Sequence, residues 1–166
     1  DIAEESACDL EIPLLDPTGI VSGDTSNLES TQRGGCAIGN APEAIWRLNS
    51  THPVRLQANT FGSAFNTALY ARTECRGGEL ACNLNSAPTQ QSQIEFDFAG
   101  GDLFLFVDGF GRFAGEYQLT VTGEYLAGQG CDPNGPSYLT CPADTECIPV
   151  ANQTVSHMCL RQTQCN

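Results

Sequence analysis

Leu103-Phe104-Leu105-Phe106-Val107 is apolar at every position and runs directly into Asp108-Gly109-Phe110-Gly111. Consecutive apolar side chains place apolar groups on both faces of an extended chain, so this stretch predicts a central strand covered on both sides and closed by a Gly-rich turn. Outward from it, the runs alternate instead. Val54, Leu56 and Ala58 interleave with Arg55, Gln57 and Asn59; Ile94, Phe96 and Phe98 with Gln93, Glu95 and Asp97; and Tyr117, Leu119 and Val121 with Glu116, Gln118, Thr120 and Thr122. A period of two is that of a half-buried strand. Ala44 to Leu48, containing Trp46, and Thr67 to Arg72, containing Leu69 and Tyr70, add two more strands. Gly and Pro punctuate the gaps and no stretch sustains a helical period. The expected fold class is all-β, an antiparallel two-sheet β-sandwich of about seven or eight short strands.

With 166 residues there is room for one domain of roughly 100 to 120 residues and a smaller appendage. After Tyr125 the composition shifts. Gly128, Gly130, Pro133, Gly135, Pro136, Pro142 and Pro149 crowd in, together with Cys131, Cys141, Cys147, Cys159 and Cys165. This stretch has too few large apolar residues to bury a core, so disulfides must hold it. The expected organisation is an N-terminal arm over 1–19, a β-sandwich over 20–127 and a small disulfide-rich C-terminal module over 128–166.

Nine cysteines are too many for a reducing cytosol unless they bind metal or iron–sulfur clusters, and no CxxC pair occurs among them. Disulfides in an oxidising compartment are the reading that fits. The sequence begins at Asp1 without an initiator Met, a basic n-region or an apolar h-region, so it is expected to be a mature secreted chain whose export signal has been removed. No run approaches the roughly 18 apolar residues of a membrane span. The formal charge of −13, from 7 basic and 20 acidic residues, repels phosphate backbones and anionic lipid, which sets nucleic-acid binding aside. All the cations are Arg, so Schiff-base chemistry and Lys–Asn isopeptide crosslinks are excluded.

Val21-Ser22-Gly23-Asp24-Thr25, Ala41-Pro42-Glu43-Ala44-Ile45-Trp46-Arg47-Leu48, Phe65-Asn66-Thr67-Ala68-Leu69-Tyr70 through Cys75 to Ala81-Cys82-Asn83, Phe106-Val107-Asp108-Gly109-Phe110-Gly111 and Gly115-Glu116-Tyr117-Gln118-Leu119 follow one another in the order of a known domain. Over about residues 20 to 123 the chain resembles the bacterial pre-peptidase C-terminal (PPC) domain. In particular it looks like the cysteine-bearing variant of exported proteins of myxobacteria and their relatives, which often carry a short cysteine-rich C-terminal tail. The resemblance implies a jelly-roll-like sandwich and a non-catalytic role in binding, secretion or display. It departs at Asn83-Leu84-Asn85, neutral here where relatives often carry acidic residues.

Cys75 and Cys82 flank the turn-rich Arg76-Gly77-Gly78-Glu79, so a bridge across that hairpin is expected, with Cys8 and Cys36 tying the arm to the sandwich. In the tail, Cys131 with Cys147 and Cys141 with Cys159 is one pairing among several that spacing leaves open. It leaves Cys165 as the odd thiol, intermolecular or free.

His52 and His157 are the only histidines, neither is near an evident nucleophile, and no HExxH, P-loop or GxSxG occurs, so no catalytic residue is assigned and no enzyme is expected. No cofactor is implied beyond calcium, for which Asp24, Asn83, Asn85 and Asp108 are the oxygen-bearing loop candidates; the competing reading is that each caps a turn. Trp46, Tyr70, Phe104, Phe106 and Phe110 are candidates for a sugar platform or for the core, with Phe110 the surface candidate. Asn49-Ser50-Thr51 and Asn152-Gln153-Thr154 have the form of glycosylation sequons.

In the arm, Leu10, Ile12 and Leu14 alternate with Asp9, Glu11 and Pro13, an edge-strand pattern that fits its own sandwich or a neighbour's sheet. Two functional readings follow. One is a structural subunit of an extracellular filament or surface assembly, with Leu10, Ile12, Leu14 and Cys165 at the interface. The other is a monomeric accessory module recognising a polysaccharide or protein partner.

Overall fold

The computed structural model describes residues 6–151 and 154–162. Eleven strands follow a short 3-10 turn at Ala7–Asp9: β1 Ile20–Asp24, β2 Ala44–Ser50, β3 Val54–Asn59, β4 Thr67–Glu74, β5 Gly77–Leu84, β6 Gln93–Phe98, β7 Gly101–Gly109, β8 Glu116–Tyr125, β9 Leu139–Thr140, β10 Glu146–Pro149 and β11 His157–Leu160. One sheet runs β1-β8-β3-β6, with β9 beside β8; the other runs β2-β7-β4-β5; β10 and β11 form a separate hairpin. Every pairing between these strands is antiparallel except β8 with β9. The fold is an all-β sandwich.

The alternating strands lie where their patterns require. Along β8 every second residue from Tyr117 to Tyr125 is buried, and Val54, Leu56 and Ala58 of β3 are essentially solvent-free while Arg55 faces water. These residues meet Leu48, Leu69, Leu103, Leu105 and Val107 of the second sheet in one core. Burying each Val or Leu of this set stabilises the fold by roughly 1.5–3 kcal/mol before the ordering cost.

The stretch Leu103–Val107 lies in β7, between β2 and β4, with its inner side chains in the core. What covers its other face is the chain's own N-terminal region. Ile45, Tyr70 and Phe106 form a second apolar cluster on the outside of this sheet, capped by Ala7, Cys8 and Ile12 of the arm. The β1–β2 connection completes the cover at Gly34, where a Cβ would overlap the Tyr70 ring. The expected turn starts later than Asp-Gly suggested: Asp108 and Gly109 belong to β7, and Asp108 is only 2% exposed.

The expected Cys75–Cys82 and Cys8–Cys36 bridges are replaced by Cys8–Cys75 and Cys36–Cys82, with Cα separations of 5.8 and 5.7 Å. The hairpin register explains the exchange. Cys82 stands opposite Tyr70, five residues before Cys75, which is roughly 16 Å along an extended strand and beyond disulfide reach. Each hairpin cysteine instead takes one partner from the covering segments. In the tail the bonds are Cys131–Cys147 and Cys141–Cys159. Cys165 lies outside the described residues.

The first part of the cysteine-rich stretch packs onto the sandwich. Tyr138, Leu139 and Cys131 are buried in the main core, and β9 extends the same edge of β8 that β1 occupies. No helix among the described residues is long and apolar enough to cross a membrane.

Candidate functional site

Beneath the cover lies a cluster of buried charge. Arg72, 8% exposed on β4, stacks over the faces of Tyr70 and Phe106 at 4.9 and 5.0 Å from the ring centroids. Its guanidinium donates to the backbone oxygen of Arg33 at 2.6 Å and to Gln32 Oε1 and the Cys75 oxygen at 3.1 and 3.2 Å, with Glu79 at 3.8 Å. It thereby fastens the β1–β2 connection to the sheet. Glu43, also buried, accepts from the Thr31 and Gln32 backbone N–H groups and from the Thr31 hydroxyl; burial nonetheless raises its carboxyl above the usual range. Asp108 accepts from Gly109 N–H at 2.7 Å and from the Tyr70 hydroxyl at 3.2 Å, and burial pushes it up to about 7. These groups are buried, and each has its polar atoms engaged by neighbouring backbone and side-chain groups. Their arrangement serves cohesion.

The four calcium candidates do not converge. Asp24 ends β1 in the first sheet, where its Oδ1 accepts from Ser26 N–H in a turn, as the competing reading holds. Asn83 and Asp108 are in the second sheet with β4 between their strands; Leu84, not Asn83, is in line with Asp108, so the two point to opposite faces. Asn83 Oδ1 accepts from Gln93 N–H. Asn85 has a positive φ of 65°, and its carboxamide oxygen, like that of Asn66, is buried without a hydrogen-bond partner.

Each histidine has a neighbouring hydroxyl beside its Nδ1, and the His52 ring also meets Tyr125 edge-on. Thr51 Oγ1 lies 2.9 Å from His52 Nδ1, and Ser156 Oγ lies 3.0 Å from His157 Nδ1. Among the described residues, the one group of three metal-ligating side chains within mutual reach is Cys131, Cys141 and Cys147, all disulfide-bonded.

Of the aromatic residues singled out, Tyr70 and Phe106 are core residues, Phe104 is half-buried against them, and Phe110 is half-buried; the exposed ring of that loop is Phe113. Asn49 holds its amide on Asp102, and Asn152 lies outside the described residues. Trp46 differs from all of these. It is half-buried at the β2 edge, where its Nε1–H donates across the sandwich to the Tyr117 hydroxyl at 3.0 Å.

That edge carries an apolar concavity, a groove of about 260 Å³ lined by Leu10, Glu11, Ile12, Leu28, Trp46 and Tyr117, among others. It exists because the arm follows β2 only briefly. Leu15 N–H donates to the Arg47 oxygen and Arg47 N–H to the Pro13 oxygen, in a single parallel bridge centred on Leu14. N-terminal to Pro13 the arm leaves the strand, and Ile12 turns onto the outer apolar cluster. Leu10 and Leu14 stay more than half exposed. Of the three arm residues read as an interface, Ile12 is thus committed to its own sheet. Because Arg47 directs its N–H and C=O away from β7, the alternation of an antiparallel strand directs those of Ile45 the same way, into the groove. The concavity around Arg55, Glu95 and Glu124 on the solvent face of the first sheet has a more polar lining. Sequence reasoning found the Leu10/Ile12 alternation and Trp46 but not the groove, whose walls come from four distant segments.

No known protein family and no curated protein matches the chain. Among solved structures, it is similar to the pre-peptidase C-terminal domain of a collagenase from Bacillus anthracis. The identity is 13% over 68% of this chain and 95% of that one, with a TM-score of 0.45.

Proposed function

We propose that this chain is a non-catalytic, extracellular binding module that engages a partner macromolecule through the groove at the open edge of β2. The groove carries the reading: it joins an apolar lining to strand-edge backbone at Ile45 that has no partner among the described residues, the two elements of recognition by strand addition. The non-catalytic part is supported by the burial of Arg72 and Asp108 and by the engagement of the Glu43 carboxylate with Thr31 and Gln32. An extracellular setting is supported by four disulfides in a chain of this size, which form and persist under oxidising conditions.

A structural subunit of a filament or surface assembly is the second reading, favoured by the exposure of Leu10 and Leu14 on the arm. Donor-strand exchange adds no support to it, because Leu14 already pairs with the chain's own β2. Size exclusion with light scattering, with and without reductant, separates the two. A 17.7 kDa particle in both conditions supports the binding module. Particles many times heavier overturn it in favour of the assembly.

A further inference from the structure

We infer that the occupant of the β2 groove is a basic, apolar segment of a partner polypeptide, an extended stretch in which cationic side chains alternate with large aliphatic ones. The inference rests on the binding-module reading and narrows it to one class of partner.

Three observations converge on this chemistry. The walls are apolar, with Leu10, Ile12, Leu28 and Trp46 presenting side chains and few polar atoms, so a large aliphatic group is held there and the hydroxyls of a sugar are not. The backbone N–H and C=O of Ile45 face the same space, which selects an extended polypeptide able to return both hydrogen bonds. The charge is of one sign: Glu11 and Glu43 line the groove and no Arg does. The whole chain carries −13. A low-dielectric cleft beside one sign of charge attracts the opposite sign and slows the approach of its own. A second copy of this chain fits poorly, since four of its seven cations, Arg47, Arg55, Arg72 and Arg76, are already in ion pairs.

Trp46 is the only tryptophan, so its fluorescence reports on this groove alone. The test titrates the intact, oxidised protein with three short synthetic peptides: one alternating lysine and leucine, one alternating glutamate and leucine, and one alternating lysine and serine. The lysine–leucine peptide is expected to shift Trp46 emission to shorter wavelength and to saturate. The other two should leave it unmoved. Glu11→Lys, an exposed position, should weaken the lysine–leucine response at least tenfold, and Leu28→Lys should abolish it, with circular dichroism verifying the fold of each variant. Equal binding of the glutamate–leucine peptide overturns the basic partner while keeping the groove as a binding site. Silence of Trp46 toward all three overturns the inference, whatever mass the particle shows.

Discussion

The ring of Tyr70 lies 4.6 Å from that of Phe106 and within 10° of parallel, and the guanidinium of Arg72 stands over both. Two neighbouring strands thus share one cation on their outer face, and that cation holds the segment that hides it. Arg72→Ala removes the stack, the hydrogen bonds to Gln32, Arg33 and Cys75, and the counter-charge of the nearby acids. Loss of one partner from a buried charge network costs on the order of 3–5 kcal/mol. A urea midpoint displaced by less than the equivalent of about 1 kcal/mol would contradict this account of Arg72.

The same burial sets a pH dependence. Asp108 titrates near 7 in the folded protein and near 4 when unfolded, so its folded form holds the proton more tightly. The stability it lends is complete below about pH 4 and is lost as pH rises through 7, a decline on the order of 4 kcal/mol. Glu43, shifted in the same direction, steepens it. Asp108→Asn should flatten the profile, read as unfolding free energy at pH 4, 5.5, 7 and 8.

Replacing Cys8 and Cys75 together by Ser opens a loop spanning 67 residues. The expected loss is about 2–4 kcal/mol, shared with strain and residual structure in the unfolded chain. Because Cys8 also caps the Tyr70–Phe106 cluster, proteolysis of the double variant should begin in the arm, before Pro13. Mass spectrometry of the first cleavage products gives the answer.

Leu139 lies 8% exposed in the core of the sandwich although it belongs to the cysteine-rich tail. Leu139→Ala should therefore lower the unfolding free energy of the whole sandwich by about 2–3 kcal/mol. If the tail were an independent unit, the Trp46 unfolding transition would not move.

What was legible in the sequence divides along one physical line. Strands β3, β6 and β8 have one face on the core and one in water, and their alternation says so residue by residue. β7 is apolar on both faces, which gave its central position but not the identity of its second cover. That cover comes from residues far back in the chain, and no local pattern joins Ile12 or Gly34 to Tyr70. Asp108 was read as a turn residue because Asp-Gly is a turn signal, whereas the Tyr70 hydroxyl keeps it inside the strand. The role of Arg72 has no local signal either: its partners Gln32, Arg33 and Cys75 are set by the fold. The disulfide exchange followed from register, which spacing between cysteines does not encode. β9 to β11 gave no signal, since strands of two to four residues in a Gly/Pro-rich stretch show no period.

The exchanged bridges also determine how the molecule would carry tension. A pull on the two ends enters at Cys8, crosses directly to Cys75, and leaves through Cys141 and Cys159. Strands β1 to β4 lie wholly inside the first covalent shortcut and cannot be drawn out, while β5 to β8 form the path between the shortcuts. Stretched between two anchors, the oxidised chain would yield only the length of that path, and half of the sandwich would be spared.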